Sequence, residues 1–186
     1  VVPFRDVHGA VWSPDGEQLL VLDEKVYVWR DGEQRLIADA YFAYGAWSPS
    51  GDRVALVNRS DVSLRATESG ELLASTTIPD TCQDVSFAPD GKTLAVACYY
   101  RKVLLLDGED LSDPSTLTGH GDIVWQAAWT ADGRIITASN DLTVRVWSNR
   151  PRSPTKGVER GWEGPGAAGP YQGRCAARGH WGRRCW

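Results

Sequence analysis

The apolar and polar positions of this chain fall into short runs of period two, broken at regular intervals by Asp-Gly, Ser-Gly and Asn-Asp turns. The clearest case is residues 142–147, where Leu142, Val144 and Val146 alternate with Thr143, Arg145 and Trp147, the mark of a half-buried strand. Residues 123–129 and 134–138 precede it as β-rich segments, set apart by Asp132-Gly133 and Asn140-Asp141. Asp-Gly between apolar runs favours a tight hairpin, because glycine takes φ > 0 at no steric cost. The pattern predicts three antiparallel strands within residues 123–147. So small a sheet cannot bury both of its faces alone, and it needs neighbours.

The sequence supplies them as copies. Trp12-Ser-Pro-Asp-Gly16 recurs as Trp47-Ser-Pro-Ser-Gly51, Phe87-Ala-Pro-Asp-Gly91 and Trp129-Thr-Ala-Asp-Gly133. The aromatic positions 12, 47, 87 and 129 are spaced by 35, 40 and 42 residues. A second marker keeps step with the first: Val26-Tyr-Val-Trp29, Val62-Ser-Leu-Arg65, Val103-Leu-Leu-Leu106 and Val144-Arg-Val-Trp147. The rest of each period predicts strands at 7–12, 19–22, 26–29 and 35–38, then 42–47, 53–57, 62–64 and 72–75. The later ones fall at 82–87, 93–98, 102–106 and 115–118. Two markers at one period near 40 identify a repeat architecture.

On these motifs the chain resembles the WD-repeat β-propellers, over roughly residues 4–148. The resemblance implies an all-β fold, a partial, open propeller of about four antiparallel blades followed by a disordered C-terminal tail. Blades are expected at 1–39, 40–77, 78–120 and 121–148, the last incomplete. It further implies that His120, Ser139, Asp141 and Trp147 form a buried structural hydrogen-bond relay, in which imidazole, hydroxyl, carboxylate and indole satisfy one another. A His-Ser-Asp set also invites a catalytic-triad reading, but the blade pattern explains all three as structure. Repeat 1 keeps Asp23 and Trp29 with Val21 at the hydroxyl position, repeat 2 has Arg65 for the tryptophan, and repeat 3 has Leu106. Those blades are expected to rest on apolar packing and to be softer than the last.

Length and charge refine the picture. A ring of seven blades at about 40 residues each needs about 280 residues, whereas the chain has 186. There is no methionine, so Val1 reads as an alternative start, a processed end or the edge of a longer polypeptide. No run is apolar enough to cross a membrane and the first residues do not resemble a signal peptide, so no membrane partner and a cytoplasmic location are expected. Residues 1–148 hold 22 acidic against 12 basic side chains, and residues 149–186 hold two against eight. The acidic repeats make nucleic acid an unlikely partner for them. The Gly/Arg/Pro-rich text after Ser148 reads either as a flexible basic tail or, on the abrupt loss of repeat grammar, as out-of-frame translation.

Chemistry is sparse. Cys82 and Cys98 fall inside predicted strands and read as small buried hydrophobes. Cys175, His180 and Cys185 have part of a zinc-knuckle spacing, but the fourth position is Gln172, so no metal is expected. Acids such as Asp23, Asp80 and Glu109-Asp110 are expected on solvated loops, and no phosphate loop, catalytic set or cofactor site is read.

The expected function is therefore a non-catalytic scaffold that binds a protein or peptide. The alternatives are an enzymatic propeller of another family and a nucleic-acid contact through the basic tail. By the resemblance, Asp6, His8, Tyr41, Ala43, Thr81, Gln83, Tyr99, Ile123, Trp125 and Asn140 project onto one face. The protein-binding set is Trp125, Tyr99, Tyr41, Asn140, Gln83 and His8, with Trp125 the leading anchor. An incomplete ring also exposes strand edges, so edge-to-edge self-association is expected.

Overall fold

A computed structural model describes residues 7–148, which contain thirteen strands and no helix. The first sheet runs in chain order through β1 (Gly9–Trp12), β2 (Leu19–Leu22), β3 (Val26–Arg30) and β4 (Glu33–Ala38), antiparallel throughout. A six-stranded sheet follows: β5 (Tyr44–Trp47), β6 (Arg53–Ala66), β7 (Leu72–Phe87), β8 (Thr93–Cys98), β9 (Lys102–Asp107) and β10 (Ser115–Thr118). The third sheet holds β11 (Val124–Trp129), β12 (Ile135–Ser139) and β13 (Val144–Trp147).

The six-stranded sheet contains two modules. Residues 54–57 of β6 pair with β5, while residues 61–65 pair with the first part of β7. The Thr67 N–H donates to the Asp52 carbonyl at 2.9 Å, so β6 folds back on itself, around Arg59 at φ 53°. The second part of β7, from Cys82 to Phe87, pairs instead with β8. The strands predicted at 53–57 and 62–64 are thus joined by a tight turn at Arg59, and those at 72–75 and 82–87 run on as one strand. A two-residue hairpin leaves no gap in the ladder, which is why turn signals in the sequence overstate the interruption.

The shared turn is the same structure four times. Gly16, Gly51, Gly91 and Gly133 lie at φ 74°, 73°, 71° and 79°. Each donates its N–H to the carbonyl three residues earlier, on Ser13, Ser48, Ala88 and Thr130, at 2.9 Å in every case. This left-handed backbone is what glycine permits and other residues resist. Side-chain acceptors reinforce three of the turns: Ser13 donates to Asp15, Ser48 and Ser50 to Asp52, and Thr130 to Asp132.

Three apolar clusters lie between successive modules, and single strands feed two of them by alternation. Val54 and Leu56 join Leu20, Leu22, Val28 and Trp47 on one side. Ala55 and Val57 face the other way, against Val85, Leu94 and Val96. Ala95 and Ala97 then turn toward Val124, Ala127 and Ile135. Residues 54–57 and 94–97 are fully buried, which explains their continuous apolar text: a strand sandwiched on both faces loses the polar half of its period. Gly45 marks how closely the first two modules approach, since a Cβ there would lie 2.9 Å from Leu20 Cδ2.

Three expectations change. Cys82 and Cys98 are not separate thiols: β7 and β8 place them directly opposite and they form a disulfide, with Cα atoms 3.9 Å apart. The Tyr99 N–H bonds to the Thr81 carbonyl, so the adjacent 82/98 pair occupies the narrow, non-hydrogen-bonded register where cross-strand side chains come closest. Asp80 is buried within β7, where it takes the N–H groups of Thr81 and Tyr100 and faces Lys102 Nζ at 3.5 Å. Asp23 is likewise not solvated: it follows β2 and is 7% exposed, its carboxylate accepting the Glu24 N–H at 2.8 Å. Asp6, the tail 149–186 and the Cys175, His180 and Cys185 set lie outside the described residues.

Candidate protein-binding face and hydrogen-bond relay

The relay is built where β12 and β13 pair and the chain enters β11. His120 Nδ1 lies 2.9 Å from Asp141 Oδ2, and its Nε2 lies 2.7 Å from Thr137 Oγ1. The Trp147 indole donates to the same Thr137 hydroxyl at 2.8 Å. Only one assignment satisfies every group: Trp147 donates to Thr137, Thr137 to Nε2 of a neutral imidazole, and Nδ1–H to Asp141. The carboxylate also accepts Gly121 N–H at 2.7 Å and both the N–H and hydroxyl of Thr143, at 2.9 and 2.6 Å. Burial alone would raise its pKa, but the hydrogen bonds from Thr143, Gly121 and His120 outweigh that and hold it far below the ordinary carboxylate range.

His120, Asp141 and Trp147 are therefore brought together, and Ser139 is not among them. Its hydroxyl donates instead to the Asp122 carbonyl and accepts the Asp141 N–H, bracing the turn. The hydroxyl of the relay is Thr137, two residues back on the same face of β12. In the first sheet the register puts Val21 at that place, opposite Tyr27 as Thr137 is opposite Arg145. Trp29 Nε1 there is buried without a hydrogen-bond partner. Although Asp141, His120 and Thr137 have the order of a catalytic triad, Thr137 has no exposed surface and a substrate has no path to its oxygen.

The candidates for partner contact lie at or near the starts of β1, β5 and β11, at the bulge of β7, and just after β8 and β12. Trp125 is 47% exposed and sits at a register shift between Val124 and Gln126. Gln83 occupies the same irregularity one module earlier, between Cys82 and Asp84. A bulge adds one residue and re-aims its side chain, a device common beside binding sites. Trp125 meets Tyr99 edge on, with ring centroids 6.3 Å apart, and His8 meets Tyr41 in the same manner at 5.1 Å. Each contact joins residues from successive modules. Asn140 is exposed and donates from Nδ2 to Asp122 Oδ2 at 3.0 Å. Gln83 Oε1 is buried with no hydrogen-bond partner.

Tyr44 was not read from the sequence as part of this group. It is half-exposed on β5, and its phenol is raised by burial and further by the charges of Tyr99, Tyr41 and Asp84. Its position on an inner strand, three residues before Trp47, was the available signal.

The last seam carries a buried acid. Asp84 Oδ2 accepts the Ala127 N–H at 2.9 Å, Ser86 Oγ donates to the Ala127 carbonyl at 2.7 Å, and the Trp129 indole donates to the Ser86 carbonyl at 3.2 Å. Burial pushes the Asp84 carboxyl up to about 6, against the opposing pull of the Ala127 and Val85 N–H groups. The folded chain therefore holds a proton that the unfolded chain releases near 3.8, so this group's contribution to stability falls as pH rises through that interval. Asp84→Asn keeps an acceptor oxygen and removes the charge. Denaturant titrations should show the variant gaining on the parent from about pH 4 upward, by on the order of 2 kcal/mol near neutrality. A constant difference across this range would refute the assignment.

Comparison with known proteins agrees with this architecture. The family model for the WD domain, G-beta repeat, matches residues 112–148. Over 52 residues the chain is 38% identical to a probable cytosolic iron-sulfur protein assembly protein CIAO1 homolog of Chlamydomonas reinhardtii, covering 27% of this chain and 15% of that protein. It is 30% identical over 107 residues to jouberin of Rattus norvegicus, covering 55% and 9%. The chain thus spans a small part of the curated relatives it matches. Among solved structures it resembles the WD40 repeats of RRP9, with a TM-score of 0.66 at 20% identity, over 76% of this chain and 48% of the other. The structure of U3-55K is similar, with a TM-score of 0.67 at 21% identity.

Proposed function

We propose that this chain, a run of WD-repeat propeller blades, is a non-catalytic scaffold that holds a protein or peptide against the face formed by His8, Tyr41, Tyr99 and Trp125, with Gln83 and Asn140 beside them. The observation that carries the reading is the pair of exposed aromatic contacts, each bridging two successive modules. Large amphipathic rings on a rigid sheet frame give contact area at little entropic cost, and such residues dominate interface energetics. The relay supports the same reading, because its polar groups are consumed within the sheet and offer no reactive atom to solvent. Among the described residues no cluster of His, Cys, Asp and Glu is arranged to hold a metal ion, and no helix is long and apolar enough to cross a membrane.

A random peptide library displayed on phage and selected against the immobilised full chain tests this. Peptides enriched on the parent should bind Trp125→Ala at least about tenfold more weakly, with an unchanged melting temperature. If Trp125→Ala lowers stability and leaves every enriched peptide's affinity intact, the tryptophan is packing between blades and the proposal fails.

A further inference from the structure

The seams inside the chain use one joint twice. The Trp47 indole donates to the Val11 carbonyl of the preceding module at 2.9 Å, and the Trp129 indole to the Ser86 carbonyl at 3.2 Å. Donor and acceptor hold equivalent places each time: the indole of the aromatic that opens the turn motif, and the carbonyl just before that aromatic one module earlier. At the middle seam the aromatic is Phe87, which buries its ring but has no N–H to offer the Ala46 carbonyl.

Continued to the first and last described sheets, the pattern leaves one half of the joint on each. Trp12 shares a row with Leu19, Trp29 and Gln34, opposite in alternation to Leu20 and Val28, which face the second module. It therefore points away from every described module, and it is 58% exposed. A depression of about 420 Å³ lies beside it, lined by Trp12, Glu17, Trp29 and Arg30. At the other end the equivalent carbonyl belongs to Ala128, exposed on the outward face of the last sheet. Ala128, Ile136 and Val146 form one cross-strand row there, and Ala138 and Val144 extend the next. Ile136 is 36% and Val144 67% exposed, an apolar face of the kind that the inner seams cover.

We infer that the two ends are complementary and that a second copy of this chain is the occupant: Trp12 of one copy seats on the outward face of β11–β13 of the other and donates its indole N–H to the Ala128 carbonyl. The contact is face to face, not edge to edge. It joins unlike surfaces, so two copies about a twofold axis make it twice and close. The described chain spans about half of a solved WD-repeat structure, so two copies supply about one ring's worth of blades.

Sedimentation of the full chain tests the inference. The parent should dimerise at concentrations up to about 100 μM, and Trp12→Ala and Val144→Asp should each weaken self-association at least about tenfold. Trp12→Phe, which keeps the ring and loses the donor, should fall between. Both altered side chains are exposed, so circular dichroism, and melting measured at concentrations where the parent is monomeric, should stay unchanged. Mixing the two variants is the decisive arm. The intact Trp12 of Val144→Asp meets the intact outward face of Trp12→Ala while the second joint carries both changes, so the mixed pair should associate more tightly than either variant alone and more weakly than the parent. A parent that stays monomeric overturns the inference. So does a dimer indifferent to both substitutions, as edge pairing would give, or a mixture that associates no more tightly than either variant alone.

Discussion

Asp141→Ala should lower the stability of the last sheet by about 2 to 3 kcal/mol, the scale of losing charge-assisted hydrogen bonds and leaving one buried donor unsatisfied. The carboxylate accepts from His120, Gly121 and twice from Thr143; alanine strands the buried His120 N–H and releases the other three donors to water. The loss should be local, because each module of a repeat fold touches only its neighbours. Amide exchange should therefore accelerate throughout β11–β13 and little in the first sheet. Two companions locate the hydroxyl of the relay. Thr137→Val leaves His120 and Trp147 without their shared partner and should cost about 2 kcal/mol, whereas Ser139→Ala loses only turn bracing and should cost about 1 kcal/mol or less. A larger penalty at Ser139 would contradict the Thr137 assignment. Because hydrogen bonding depresses the Asp141 carboxyl, its contribution is complete above the ordinary 3.8 and is lost as pH falls below it. Acid should open the last sheet, and Asp141→Ala should abolish that sensitivity.

Leu56→Ala should cost about 3 kcal/mol through lost transfer energy and the cavity left behind. Leu56 has no exposed surface and packs with Leu20, Leu22 and Trp47 in the cluster between the first and second modules. Gly45 lies against the same leucines, where there is no slack for the backbone to collapse into the space. Urea unfolding should show a lower midpoint. Leu142→Ala is the control: its side chain is 95% exposed and its loss should leave the midpoint unchanged. A Leu56→Ala midpoint equal to that of the parent would mean that the modules do not press together there.

Most of the fold was legible because its signals are local. Strands at 19–22, 93–98 and 115–118 coincide with the runs predicted there, and the four turn glycines with the repeated motif. What was not legible depends on register. Cys82 and Cys98 become partners only when β7 and β8 pair in one of several alignments, and nothing in their flanking residues selects it. Ser139 and Thr137 stand two apart on one strand, so either could reach the imidazole until the β12–β13 pairing is fixed. The exposure of Trp125 rests on a bulge, which leaves no mark in a hydrophobic pattern. Asp80 looked like a loop acid because burial of a carboxylate requires partners, and two of its partners, Lys102 and the Tyr100 N–H, come from beyond its own segment.

The central claim is that like sheets stack sideways through equivalent contacts. Nuclear Overhauser contacts measured by NMR on the full chain address it most directly. The Gly45 α protons should show cross-peaks to the Leu20 and Leu22 methyls, and the Trp47 and Trp129 indole protons should show them to Val11 and Ser86 respectively. Indole protons that see only their own sheet and solvent, with Gly45 remote from both leucines, would contradict the stacking outright.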